Sequence, residues 1–325
     1  MKKKSKISIT LSFAAAAVIM YLILKKVGFE ELPDYIGRLD YKWIIAAAAL
    51  YTIDMLVRAY RWKLILADSG VSIGTGASFL AYNLGNTMNI LIPAKLGDAA
   101  RSYYLKSKYG YGYTMTLPAT FLDRVFDVIG VYILLLLSSI YVLARVRMDS
   151  WLYYLLLLGI AALIMVFVLL EVFASNKSSL GKIKNDKLRS LVSSMLEAFY
   201  GSVKRKDKFF ILVAYSIFIW ACEGIITYFV FMSLGESINP IILLFTNMVA
   251  NLTKVIPITP GGLGVFEGTM IIVLSLLGVS GGFVGVASTL NHLVLNLYTI
   301  TAGVYALLKE NISVVKIQME KADKK

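Results

Sequence analysis

The sequence predicts an all-α polytopic integral membrane protein, with about six full transmembrane helices and two re-entrant or broken helix hairpins in an inverted repeat. Three observations lead there. Of the 325 residues, 58% are hydrophobic and 16% charged, with mean hydropathy +0.73, whereas a soluble domain carries about 25% charged residues. Apolar runs long enough to cross a hydrocarbon core of ~30 Å recur along the chain. Two shorter apolar pairs are broken by Pro and Gly, where no continuous helix forms.

Taken in order, four lysines precede the apolar run 7–24, which reads as a retained signal-anchor with its N-terminus in the cytoplasm. Residues 25–42 mix both charges around Pro33 and form a short outer segment. The run 41–67 is long enough to cross with tilt. A short helix over 75–90 is interrupted at Pro93 to Gly97, and a helix from Asp98 to about Tyr109 follows. Residues 117–143 and 151–173 each span. A basic stretch holds an amphipathic helix around 188–200, and 209–234 crosses again. The segments 240–253 and 265–279 rise about 1.5 Å per residue, so each reaches only about 21–23 Å. Between them Pro257, Pro260, Gly261, Gly262 and Gly264 make two half-helices meeting at a glycine-rich tip. Backbone N–H and C=O groups need partners in lipid, so such a tip survives only inside protein or against a wet cavity. Residues 282–308 form the last span.

The net charge of +13 sits between apolar spans, which favours cytoplasmic loops on an anionic leaflet and argues against nucleic acid as a partner. Lys and Arg number 4, 9 and 5 in residues 1–6, 174–208 and 309–325, against 4 and 2 in 25–42 and 144–150. With both termini cytoplasmic, the three richer groups all fall inside, as the positive-inside rule requires. The expected location is the plasma membrane. One cysteine and one histidine argue against a His/Cys metal site, and no phosphate-loop motif is present, so no cofactor is expected. The chain divides into a signal-anchor and outer segment (1–40), a first repeat (41–143), a span and basic loop (144–208), a second repeat (209–308) and a basic tail (309–325). Each repeat is a long span, a broken hairpin and a second long span. The charge rule runs 41–67 inward and 209–234 outward, so the copies are inverted. Paired interrupted segments in inverted copies mark secondary transporters, with the site near the midplane between the tips.

Three stretches carry a resemblance: NILIPAKLGDAAR (89–101), DRVFD (123–127) and PITPGGLGVFE (257–267). In that order and spacing they resemble the lysylphosphatidylglycerol synthase transmembrane family, the flippase-like region of the bacterial multiple peptide resistance factor. The resemblance covers nearly the whole chain and implies a membrane protein that moves a lipid between leaflets. The chain ends soon after its last span, without the soluble aminoacyl-transferase domain of bifunctional members, so lysyl-lipid synthesis is not implied. The family usually has Arg and Glu where this chain has Lys95 and Asp98, Glu in place of Asp123, and an arginine near His292. Headgroup preference is expected to differ accordingly, since Lys lacks the planar fork of Arg.

An ionisable side chain deep in a span costs roughly 2.5–3.5 kcal/mol on insertion scales, so each needs a reason. Lys95, Arg101, Arg124 and Lys254, with the tip glycines Gly261 and Gly262 and the half-helix N-termini, are the expected contacts for an anionic lipid headgroup. Lys95 otherwise reads as a solvated loop lysine. Asp98 either caps the helix after the first tip or touches substrate, and Glu267 has the same two readings at the second. Asp54 and Arg58 lie at i, i+4, as a structural pair or as part of the path. Asp123 and Asp127 align on one face, either in an ion network around Arg124 or as ligands of a divalent metal, the reading that gets little weight. Glu223 is a protonatable coupling group or the partner of Lys254. His292 is a satisfied interior histidine or a proton relay. Asn83, Asn86, Asn247, Asn251 and Asn291 either line a polar groove or hold helices together. The expected function is a secondary lipid translocase for an anionic phospholipid or lipid-phosphate carrier. A separate lipid-modifying enzyme is a possible partner. The alternatives are an intramembrane lipid-modifying transferase using Asp123 and Asp127, or a transporter of a small soluble solute or ion.

Overall fold

Helix starts and stops follow local capping chemistry in a computed structural model that describes residues 32–91, 97–145, 186–254 and 259–309. The expected spans 7–24 and 151–173, with Lys95, Pro93 and Pro257, lie outside the described residues. Those residues are all-helical and form ten α-helices. A short α1 (Leu32–Gly37) leads into α2 (Tyr41–Asp68), where Asp40 accepts the Lys42 N–H at 3.1 Å as N-cap. The first hairpin is α3 (Thr75–Leu91) and α4 (Gly97–Tyr109), followed by α5 (Tyr113–Arg145). Then come the amphipathic α6 (Asp186–Lys204) and α7 (Lys206–Ser233). The second hairpin is α8 (Pro240–Thr253) and α9 (Val265–Leu276), joined through a 3₁₀ turn at Pro260–Gly262, and α10 (Gly282–Lys309) closes the set. Asn239 caps α8 by accepting the Ile241 N–H at 2.9 Å, with Pro240 in the first turn where its missing N–H costs nothing.

Four helices, α2, α5, α7 and α10, are long and apolar enough to cross a membrane. Their outward faces carry Ile45, Ile53, Leu137, Ile140, Phe210 and Leu297, all exposed. Apolar side chains so displayed have no reason to face water and suit lipid tails. The chain is a multi-pass membrane protein.

α2 packs along α7 at the centre. Each hairpin lays its first limb against the last long helix of the other half, α3 on α10 and α8 on α5. Close approach needs small residues. A Cβ on Gly303 of α10 would overlap the hydroxyl of Thr87 on α3, and a Cβ on Gly130 of α5 would come 2.9 Å from the Ser216 backbone on α7. The second tip meets the end of α3, with the Cβ position of Gly261 only 3.7 Å from Ile90. The two broken hairpins therefore converge.

Candidate functional site

The stripe Asp54, Arg58, Arg61 recurs at i, i+4, i+7 on α2, so all three point into the bundle. The Arg58 guanidinium donates to Asp54 at 2.7 Å and to Glu223 of α7 at 2.6 Å. Arg61 is fully buried and donates to Asp123 at 2.8 Å, to Asp127 at 2.7 Å and to the Ser216 hydroxyl at 2.6 Å. Arg101, also fully buried, reaches Asp123 at 3.1 Å and Asn86 at 3.1 Å, with its plane 3.7 Å from the Tyr82 ring. Arg124 donates to Asp98 at 2.8 Å and to Asp127 at 3.2 Å. Asp54, Asp98, Asp123, Asp127 and Glu223 thus face Arg58, Arg61, Arg101 and Arg124 in one continuous network. Arginine suits it, because a planar fork of five donors binds two carboxylates at once.

A cavity of about 390 Å³ opens beside this network, where the hairpins converge. Arg58, Arg124, Asp98, Asp127 and Glu223 face it from one side, and Lys254, Asn251, Thr259, Gly261 and Gly262 from the other. The guanidiniums on its wall already hold carboxylates. Lys254 does not: no carboxylate of the described residues lies within 4.0 Å of its ammonium, which rests 4.7 Å over the Phe266 ring. On the same cavity the Asn251 side-chain oxygen and the Thr259 hydroxyl are buried without hydrogen-bond partners among the described residues.

Of the residues expected at the site, Asp98, Arg124, Asp127, Lys254, Gly261 and Gly262 are on the cavity wall, as are Arg58 and Glu223. Arg101 and Asp123 lie behind it, bonded to each other. Asp54 is buried behind Arg58. Glu223 pairs with Arg58, not with Lys254, because Arg58 projects from the neighbouring α2 into contact with it. Glu267 is buried and caps its own helix, accepting the Gly264 N–H at 2.7 Å. Its other oxygen lies 2.7 Å from Nδ1 of His292, whose Nε2 is 3.0 Å from the Gly261 carbonyl. At the first hairpin it is Asn89, rather than Asp98, that accepts the Gly97 N–H, at 2.7 Å.

Of the asparagines, Asn86 and Asn251 line the cavity, while Asn83 and Asn247 bond to α3 and α7 neighbours. Arg61, Asn89 and Thr259 were not anticipated. Arg61 was readable, since it continues the Asp54–Arg58 stripe by one more turn. Among the described residues no cluster of His, Cys, Asp and Glu has the makings of a metal site. Arg61 engages both Asp123 and Asp127.

A lipid-facing helical bundle with a charged cavity between two broken hairpins defines a membrane protein built around an internal polar site. The chain belongs to the family described as the lysylphosphatidylglycerol synthase TM region, which matches residues 9–303. It is 28% identical over 280 residues to a UPF0104 membrane protein of Pyrococcus horikoshii, covering 77% of this chain and 81% of that one. A UPF0104 membrane protein of Methanothermobacter thermautotrophicus is 26% identical over 343 residues, covering 99% of this chain and all of the relative. The glycosyltransferase AglD of Haloferax volcanii is 24% identical over 354 residues, covering 98% of this chain but 57% of AglD.

Proposed function

We propose that this protein is a secondary lipid translocase that carries an anionic phospholipid or lipid-phosphate carrier between leaflets of the plasma membrane, with both termini cytoplasmic. One observation carries the reading. Lys254 presents to a cavity between broken helices an ammonium with no carboxylate of the described residues within 4.0 Å, and the Thr259 hydroxyl and Asn251 amide oxygen on the same cavity have no partner among those residues. Lys254 is half-buried, and a partly desolvated cation is better matched than left alone; a phosphate or phosphodiester supplies the match. A cavity of about 390 Å³ is of the size that holds a small polar ligand, so the headgroup enters while the tails stay in the bilayer.

The matching packing of the two hairpins on opposite long helices supports two inverted copies that rock to open one face at a time. No bond chemistry is assigned to the chain itself. A separate lipid-modifying enzyme is the natural partner. The relative AglD, of which this region is 57%, fits a translocating region beside a modifying one.

The test is leaflet exchange of fluorescent phosphatidylglycerol in liposomes. Lys254→Met should abolish exchange in a protein that still folds. Undiminished exchange by that variant would remove the proposed headgroup site.

A further inference from the structure

We infer that Glu267 and His292 bind one proton between them, and that this proton fastens the glycine tip to the cavity wall. The argument is one of donors and acceptors. The Gly261 carbonyl only accepts, so Nε2 of His292, 3.0 Å away, carries a hydrogen. A neutral ring with its proton there offers a lone pair at Nδ1. Only 2.7 Å from Nδ1 lies a Glu267 oxygen. Two lone pairs do not face each other at that distance, so a second proton sits between ring and carboxyl. Imidazolium with carboxylate and imidazole with carboxylic acid are the same count: one proton more than a neutral histidine beside an ionised glutamate.

Burial agrees with that count. Glu267 is inaccessible and His292 is 4% exposed, and a neutral pair avoids an unmatched buried charge. The surroundings leave one outside charge in play. Among helices packed on α10, α3 brings no charged side chain, only the Tyr82 phenol. The Asp34 of α1 is exposed. α2 and α7 bring Asp54, Arg58, Arg61 and Glu223, all tied into the arginine network. Lys254, at the end of α8, rests its ammonium 4.7 Å over the Phe266 ring, which itself lies 5.2 Å from the His292 ring.

Loss of the proton leaves one bond too many. Either the Glu267–His292 or the His292–Gly261 contact must break, and the tip is untethered while Glu267 still caps α9. The tip is also the wall of the anion site, since Gly262 packs against the Lys254 stem and a Cβ there would come 2.7 Å from it. Resting on the translocase reading, a second step follows. An anion on Lys254 cancels the positive field that favours the deprotonated pair, so proton and anion bind cooperatively, each to the same degree for the other. The protein then moves its lipid together with a proton.

His292 is the only histidine in the chain, so ¹⁵N-histidine labelling in nanodiscs reports this ring alone. A cysteine at Ile90, which Gly261 covers, in a Cys222→Ala background, reports the tip. In the wild-type pair, thiol labelling should rise by up to about tenfold per pH unit, as release of one proton requires, beyond the same reporter in Glu267→Gln. It should level off where the ring signal stops changing. Glu267→Gln retains an oxygen for the Gly264 cap and donates to Nδ1, so its ring should stay neutral and its tip closed. A wild-type ring that shows Nε2–H without the extra proton, or labelling identical in both proteins, overturns the latch. Coupling is read separately, with phosphatidylglycerol against phosphatidylcholine nanodiscs at one pH. The anionic lipid should suppress labelling several-fold in the Lys254-containing protein and leave Lys254→Met unchanged. Equal labelling in both lipids would remove the coupling. An intact latch together with full lipid exchange by Lys254→Met would sink the translocase site and leave the proton site standing.

Discussion

Arg61→Met and Lys254→Met should separate structure from function, because the two cations sit in opposite electrostatic situations. Arg61 is inaccessible and holds Asp123 and Asp127, with a further bond to Ser216. Removing one partner of a buried ion pair costs about 3–5 kcal/mol, because a charge is left without compensation. Here the lower end applies. Asp123 keeps Arg101 at 3.1 Å, and Asp127 keeps Arg124 at 3.2 Å and Arg58 at 3.6 Å. At roughly 2–4 °C per kcal/mol for chains of this order of size, the loss should lower Tm by about 6–12 °C. Lys254→Met removes a charge that has no carboxylate of the described residues within 4.0 Å and keeps an apolar side chain by the Phe266 ring. Its Tm should stay within about 3 °C of the parent or rise, since a group kept for binding is often neutral or costly for stability. Intrinsic-fluorescence unfolding in detergent, with leaflet exchange at matched protein density, gives both numbers. A stable Arg61→Met would show that the network does not hold the bundle. A Lys254→Met protein as unstable as Arg61→Met would show that Lys254 has a structural partner, and the headgroup argument would lose its footing.

Gly97→Ala should prevent assembly, because its Cβ falls inside the contact radius of the Gly85 carbonyl and 2.6 Å from Asn89. Gly268→Ala, with open space at that position, should be neutral or stabilising by up to about 1 kcal/mol. Monodispersity after solubilisation distinguishes the two. A chelator should leave leaflet exchange unchanged, since Arg61 engages Asp123 and Asp127. Activity lost to chelator, restored by magnesium and accompanied by a chemically altered lipid would instead support a transferase. Arg58→Met and Glu223→Gln should couple by about 1–3 kcal/mol in a double-mutant cycle of unfolding. Additive losses would mean the 2.6 Å bond between them contributes nothing.

The helices were legible because lipid leaves the sequence few options. Apolar length set the long spans, and the expected segments 240–253 and 265–279 fall on α8 (Pro240–Thr253) and α9 (Val265–Leu276). α5 begins at Tyr113, a turn earlier than the expected 117, and runs on through Pro118, whose missing N–H removes one bond of the second turn. Local spacing also exposed the Asp54–Arg58 pair. What stayed hidden has no local period. Arg58 with Glu223 is a contact across 165 residues, and Thr87 with the Thr299 carbonyl one across 212. Sequence showed Glu223 as a lone acid in an apolar helix, and only the packing of α2 on α7 supplies its partner. The candidate site was half visible for the same reason. Which residues are charged is written in the chain, but which charges are left over depends on how the arginines are spent.

That distribution is lopsided, and the asymmetry bears on what moves. Asp54, Arg58, Arg61, Asp98, Arg101, Asp123, Arg124 and Asp127 all lie between residues 41 and 143, so the network welds α2, α4 and α5 of the first half into one body. Among the described residues the second half enters it through the hydrogen bonds of Glu223 and Ser216 and the Trp220 ring under Arg58, all on α7. Its own polar contacts are sparser: Glu267 with His292, and Asn247 with Thr227 and Asn251. Packed cores shift between discrete arrangements rather than deforming smoothly. The rocking motion of the proposed function would therefore have a seam with few ion pairs and others with many. It needs to exchange the Arg58–Glu223 and Arg61–Ser216 bonds of the network and, outside it, the bonds that join Thr299 to Tyr51 and Thr87. Glu223 released from Arg58 faces the same cavity as Lys254 and is one of the two carboxylates that act on it. On the proposed translocase function, an empty cavity then has a way to satisfy Lys254, and a loaded one leaves Glu223 on Arg58. If the proposed function holds, substrate occupancy and the seam between the halves depend on the same two charges.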